Sequence, residues 1–205
     1  PLWLCSLSVI RLIMVLLTNN LPIKLVYRKI QNIEVNNNTF AYLEMVKLAK
    51  EYQQKFHNVS VGDIPGIQHA RSFFRAIGID PTKRRPSSEA LLRRAISRKE
   101  LYQVSNIVDV GNWCSLEFML PICVYDYSEI NGDINVQLGS CHDSYLAHNN
   151  REMNFENKLV LCDKTGAFGS PLTDSIRTAV TAKTKEVLVV IFAPLNYDSI
   201  LLESY

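Results

Sequence analysis

SNIVDVGNWCSLEFMLPICVYD, residues 105–126, is the stretch on which the reading of this chain turns. An apolar run (Ile107, Val108, Val110) stands beside Asp109 and Asn112, polar side chains that need hydrogen-bond partners wherever a core covers them. The chain then returns through Leu120-Pro121 into a short β-branched and aromatic stretch ending at Asp126. From about Gln103 onward it breaks into short apolar runs, punctuated by Asn-Gly, Gly-Ser, Asn-Asn and Gly-Ser-Pro. The expected fold class is therefore α+β, with helices first and a strand-rich sheet or sandwich after them.

Working upstream, residues 21–35 alternate between apolar and polar and predict one strand. After Asn36-Asn37-Asn38, the segment Thr39 to Phe56 places Leu43, Val46, Ala49 and Lys50 at helical spacing. Thr39 or Asn38 is its expected cap, and Glu44 and Lys47 its outer face. A polar connector leads to a short helix, Ile67 to Ile77, that stops at Gly78, and Asp80-Pro81 reads as a turn. Ser87 or Ser88 is expected to cap a helix beginning at Glu89, with Leu91, Leu92, Ala95 and Ile96 on one face.

A length of 205 residues with 47% hydrophobic content is enough for a single core without disulfides. The expected domain runs from 21 to 205, preceded by an apolar extension, residues 1–20. Residues 1–17 carry one charge, Arg11, in mid-run, which fits neither a spanning helix nor a signal peptide, so a membrane role is not expected. Five cysteines without a C-x-x-C pair predict free thiols in a cytoplasmic protein and no zinc site. Cys141-His142-Asp143 are adjacent and point to alternate faces of an extended chain, so no metal is expected there.

The net charge of +2 excludes a global polycation. The local balance differs: Lys83, Arg84, Arg85, Arg93, Arg94, Arg98 and Lys99 are opposed within their own segment by Glu89 alone. Such a stripe suits phosphate contact, because Arg forks and Lys charges release counterions from RNA; it equally suits a solvated helix face.

The segment 105–126 resembles the "N-x-V-D-x-x-N … P-x-x-x-[FY]-D" signature of the B3/B4 domain of the phenylalanyl-tRNA synthetase beta subunit, a domain that free-standing proteins also carry. Further similarities follow in order: Gly132 to Gly139, Lys158 to Asp163 and Thr181 to Pro194 match successive strands, so the resemblance spans about Gly78 to Pro194. It implies a B3/B4-like sheet or sandwich, with tRNA or aminoacyl-tRNA as partner and an amino acid as possible ligand. No cofactor is implied. The family pocket would lie near Asn106, Asp109, Asn112, Cys123, Thr173, Asp174 and Ser175.

The resemblance also exposes departures. Cys123 stands where the synthetase signature has a His associated with editing, and Val190 stands where it has a Glu. The Pro171 to Ser175 region replaces a Gly-Gly loop. Editing needs polar groups that hold water against an ester carbonyl, and neither Cys nor Val supplies them readily. The chain is not a complete ligase; if active, it is a hydrolase of aminoacyl-tRNA with Cys123 or Asp174 as catalytic candidates. His142 or His148 would then be the base for a Cys123 nucleophile. The alternative is an amino-acid or small-molecule binding module that kept the fold and lost RNA. The oligomeric state is not legible in the sequence.

Overall fold

The computed structural model describes residues 15–17 and 21–205. The rest of the expected N-terminal extension, and Cys5 and Arg11 with it, lies outside the described residues. Strand β1 (Val15–Leu17) is followed by β2 (Ile23–Gln31), the strand expected between 21 and 35. The asparagine turn then starts helix α1 (Phe40–Lys55): Asn36 Oδ1 accepts from Asn38 N at 2.9 Å, and Asn38 Oδ1 from Phe40 N at 2.8 Å.

The inward face of α1 differs from the expected one. Ala41, Met45 and Ala49 are buried at four-residue spacing, whereas Leu43 is 58% exposed. The helix is rotated because it must meet helices on two sides, and only the Ala-Met-Ala stripe lets them come close.

Helix α2 (Ile67–Ala76) ends as expected before Gly78, whose φ of +75° suits glycine. Helix α3 (Ser87–Ile96) begins two residues earlier than Glu89, with Pro86 at the capping position. Neither serine caps it, and the Ser88 hydroxyl is buried without a partner.

The larger correction concerns residues 106–118. They form helix α4 (Asn106–Phe118), not the first of the strands. Ser105 Oγ caps it by accepting from Val108 N at 3.4 Å, and Met119 closes it in the left-handed region. Asp109, Trp113 and Leu116 share one helical stripe, so the period that decides the element lies in those residues and not in the Ile107-Val108-Val110 run.

The strand-rich part begins with β3 (Ile122–Asp126). It continues through β4 (Ile134–Leu138), β5 (Ser144–Leu146), β6 (Glu152–Asn154) and β7 (Leu159–Asp163). Then come β8 (Gly166–Ser170), β9 (Thr173–Asp174), β10 (Glu186–Pro194) and helix α5 (Ser199–Ser204). The strands form a three-stranded sheet β2-β10-β3, a five-stranded sheet β1-β4-β7-β8-β9 and the hairpin β5-β6. The fold is α+β.

The main core lies between the two larger sheets. Ile23, Tyr125, Leu188, Val190 and Phe192 come from one side, Ile134, Val136, Leu161 and Phe168 from the other, and Phe73 and Phe74 of α2 join them. Each such side chain removed from water contributes about 1.5–3 kcal/mol. A second cluster, including Met45, Ala49, Ile67, Leu92 and Leu116, holds the helices together.

Candidate functional site

A cleft of about 310 Å³ opens where α4 lies over β3. Val104, Val108, Ile122, Val124 and Val180 form its apolar walls, and Asn112, His148 and Asp174 are its polar groups. Gly111 allows the close approach: a Cβ there would stand 2.8 Å from Val124 Cγ2. Ile122 and Val124 face the cleft because alternate residues of β3 point to opposite sides, which sends Cys123 and Tyr125 into the core.

The expected pocket residues therefore separate. Asn112 and Asp174 meet in the cleft. Asp109 is fully buried beneath its wall and acts through the backbone: Oδ1 accepts from Val104 N at 2.9 Å, while Oδ2 has no partner. Burial raises the pKa of Asp109, and the bond from Val104 offsets only part of that. Asn106 is a staple between α4 and the segment after β2. Its Oδ1 accepts from Asn36 N at 2.9 Å, and its Nδ2 donates to Glu34 O at 2.8 Å. Thr173 contributes its carbonyl to Tyr145 Oη at 2.6 Å, and Ser175 Oγ accepts from Arg177 N at 3.0 Å.

Cys123 is buried, and its Sγ lies 3.6 Å from Ser170 O as a donor. Burial, and after it the Asp174 charge, pushes the thiol well up, so a thiolate nucleophile is disfavoured there. His148 shares the cleft with Asp174 rather than with Cys123, and His142 lines a different cleft. A Cβ on Gly169 would collide with the ring and hydroxyl of Tyr125, so glycine is what lets that ring lie across β8.

Asp174 is the electrostatic centre of the cleft. The residue is half-buried, but its Oδ1 is shut off from solvent and has no hydrogen-bond partner. Burial pushes its carboxyl up to about 6, and the nearby Tyr125 hydroxyl and Cys123 thiol pull it only partly back. A carboxyl of this kind, set among valines with Asn112 and His148, can accept a hydrogen bond from an ammonium group or exchange a proton near neutral pH.

A second, wider cleft of about 520 Å³ runs past His142, Tyr145, Thr165 and Arg177. Arg177 is tied there to Asp163, with Nη1 to Oδ2 at 3.0 Å, and to Glu129 O at 2.7 Å. Asp143 turns back onto Ser140 N at 2.7 Å, and among the described residues no three His, Cys, Asp or Glu side chains gather in metal-holding reach.

The basic segment also divides. Glu89 is fully buried and accepts from Arg71 Nε and Nη2, both at 2.7 Å, and from Arg93 Nε at 2.8 Å. Burial works to raise its pKa, but the Arg71 and Arg93 bonds outweigh it and hold the carboxyl below its usual range. Arg94 donates to Glu100 O at 2.6 Å and stacks over the Tyr102 ring at 4.1 Å. Lys83, Arg84 and Arg85 are exposed on a turn built by Asp80, whose Oδ1 accepts from Thr82. Arg98 and Lys99 are exposed at the other end of α3, about 15 Å away by helical rise. These last five make no ion pair among the described residues.

Arg71 is thus the partner of Glu89 that the sequence did not assign, since it sits on another helix, while His148, expected as a base for Cys123, lies beside Asp174 instead. The sequence profile of the B3/4 domain matches residues 69–197. The phenylalanine–tRNA ligase beta subunit of Neisseria meningitidis is 24% identical over 100 residues, which are 48% of this chain and 13% of that subunit. The chain therefore spans a small part of that relative's length. An N-terminal fragment of the phenylalanyl-tRNA synthetase beta subunit from Pyrococcus horikoshii aligns with a TM-score of 0.38 at 17% identity, over 44% of this chain and 34% of the fragment. No described helix is long and apolar enough to cross a membrane.

Proposed function

The chain belongs to the B3/4 domain family, and from that premise we propose that it binds tRNA, with the aminoacyl end of a charged tRNA received in the cleft between α4 and β3. The observation that carries this reading is the set of exposed cations at the two ends of α3 that form no ion pair among the described residues: Lys83, Arg84 and Arg85 at one, Arg98 and Lys99 at the other. Cations without acid partners are the ones whose charge is available to phosphates. The cleft supports the same reading, because an amino-acid ester presents an ammonium group and a side chain. Asp174 suits the first and the valine walls the second.

Hydrolysis of a mischarged tRNA, as a stand-alone editing factor in the cytoplasm, is the extended form of this proposal. In it Asp174 and His148 handle the proton, since Cys123 and Val190 are packed into the core. The competing reading is an amino-acid binding module without RNA. The observation favouring it is that Arg93 and Arg94 are already engaged within the fold.

One experiment separates them: binding and hydrolysis of a panel of charged tRNAs at two salt concentrations, beside thermal shifts with free amino acids. Salt-sensitive tRNA binding supports the proposal, and turnover lost in Asp174→Asn supports its extended form. Stabilisation by a free amino acid, without any affinity for tRNA, replaces the proposal with the competing reading.

A further inference from the structure

We propose that Tyr102, backed by Arg94, is a stacking platform for an unpaired nucleobase at the 3′ end of the bound RNA, standing between the Arg98–Lys99 cations and the cleft. This inference rests on the tRNA reading above and adds to it a contact with a base rather than with phosphate. Tyr102 is 67% exposed, which for an aromatic ring leaves most of its surface in water. It is nevertheless held in place. The Arg94 guanidinium lies 4.1 Å from the ring centroid, and Arg94 is itself fixed by two bonds to Glu100 O, from Nε at 3.1 Å and Nη2 at 2.6 Å. One face of the ring thus meets a cation that is tied down, while the residue as a whole stays mostly in water.

A ring that rests one face on a fixed cation is partly oriented before any ligand arrives, which lowers the cost of stacking. Its position in the chain gives it direction. Lys99 lies three residues before it and Val104 two residues after, within about 11 Å and 7 Å of extended backbone. Val104 is 57% exposed, forms part of the cleft wall, and is pinned by Asp109 Oδ1 at 2.9 Å. Phosphate-binding cations, a stacking ring and an apolar entrance therefore follow one another along a single short segment. The ligand class that presents phosphate, base and terminal group in that order is a single-stranded RNA end. A folded helix offers no free base face to such a ring.

The test compares the wild-type chain with Tyr102→Ala and Tyr102→Trp. Each is titrated with an unmodified tRNA transcript and with the same transcript lacking its unpaired 3′ nucleotides. Tyr102 is exposed, and unchanged thermal melting of both variants confirms that the fold is intact. The expected result is that Tyr102→Ala weakens binding of the intact RNA by about 10-fold, within the range of one base–aromatic stack, while the salt slope stays the same. Tyr102→Trp retains the affinity, and the trimmed RNA binds wild type and Tyr102→Ala alike. Equal affinities of wild type and Tyr102→Ala for the intact RNA overturn the platform and leave the tRNA reading standing. So does an equal loss on both RNAs. If the wild-type chain shows no salt-dependent affinity for either RNA, the tRNA reading fails and the platform with it.

Discussion

Cys123 on β3 and Val190 on β10 are direct partners across the antiparallel register, and both are buried. The two positions, far apart in the chain, are one place on one sheet. Their side chains enter the core with Leu188 and Phe192 and are almost wholly covered there. The two positions at which the resemblance implies a His and a Glu are thus, in this chain, one apolar spot of the core.

Introducing one polar partner alone should be costly. Val190→Glu places a carboxyl in the main core, and we expect about 3–5 kcal/mol of lost stability in denaturant unfolding. Adding Cys123→His to that variant gives the carboxyl a cross-strand partner, so the double variant should lose less than the sum of the singles. Additive losses would show that the two side chains do not reach each other.

Glu89 links α2 to α3 through Arg71 and Arg93, so removing it leaves Arg71, which is largely covered, without its partner. Glu89→Ala should cost about 3–5 kcal/mol, whereas Glu44→Ala, at a surface pair with Lys47, should cost less than about 0.5 kcal/mol. Chemical denaturation of the two variants checks the contrast.

The basic segment predicts two classes of variant. Arg84→Ala and Arg85→Ala should leave thermal stability unchanged, weaken tRNA binding, and each lower the salt slope by about 1. Arg93→Ala should lower stability first, because its guanidinium belongs to the Glu89 network. Melting curves beside binding at several salt concentrations distinguish the classes.

The carboxyls of the fold respond to pH with opposite signs. Glu89 and Asp163 are held below the usual range, each because arginine hydrogen bonds outweigh burial. The stability they confer is present above their unfolded values, roughly pH 4, and is lost as pH falls through their folded values. Asp174 is raised to about 6, so its contribution is full below its unfolded value and is lost as pH rises through 6. Asp174→Asn should therefore gain on the wild type between about pH 4 and 7, by roughly 1–2 kcal/mol once its partial exposure is allowed for. A difference that stays constant with pH would contradict the burial of its Oδ1.

Gly169→Ala should destabilise the chain by about 1–3 kcal/mol, because the Tyr125 ring fills the space of the new methyl. Pairing it with Tyr125→Phe, which removes the hydroxyl, should recover part of the loss in the same unfolding measurement.

The strands around Tyr125, Val136, Leu161 and Leu188 were legible because each is a short β-branched or aromatic run between turn residues. Helix α4 was not. Its deciding stripe includes Asp109, a polar residue that counts against burial in any pattern, and its apolar run is too short to show a period. Glu89 misled for a related reason: an acid in a first helical turn looks like a partner of the helix dipole, while its real partner, Arg71, lies on another helix. In the site, Asn112 stood out as a polar residue beside an apolar run, whereas Asp174, flanked by the polar Thr173 and Ser175, was placed near the pocket by the resemblance alone. Neither the inward turn of Cys123 nor the place of His148 was legible, since both depend on how the sheets stack.

Strand β10 lies between β2 and β3 and pairs with both. Its partner Gln31 precedes Glu186 by 155 residues, so during synthesis β2 emerges long before the strand that completes it. Until β10 arrives, β2 and β3 each present an open row of backbone donors and acceptors, ready to pair with another chain. The sheet must therefore close late and over a long loop, which makes for slow folding. A ribosome stalled before residue 186 would hold an aggregation-prone chain, and a strand near the end of the sequence decides when β2 becomes safe.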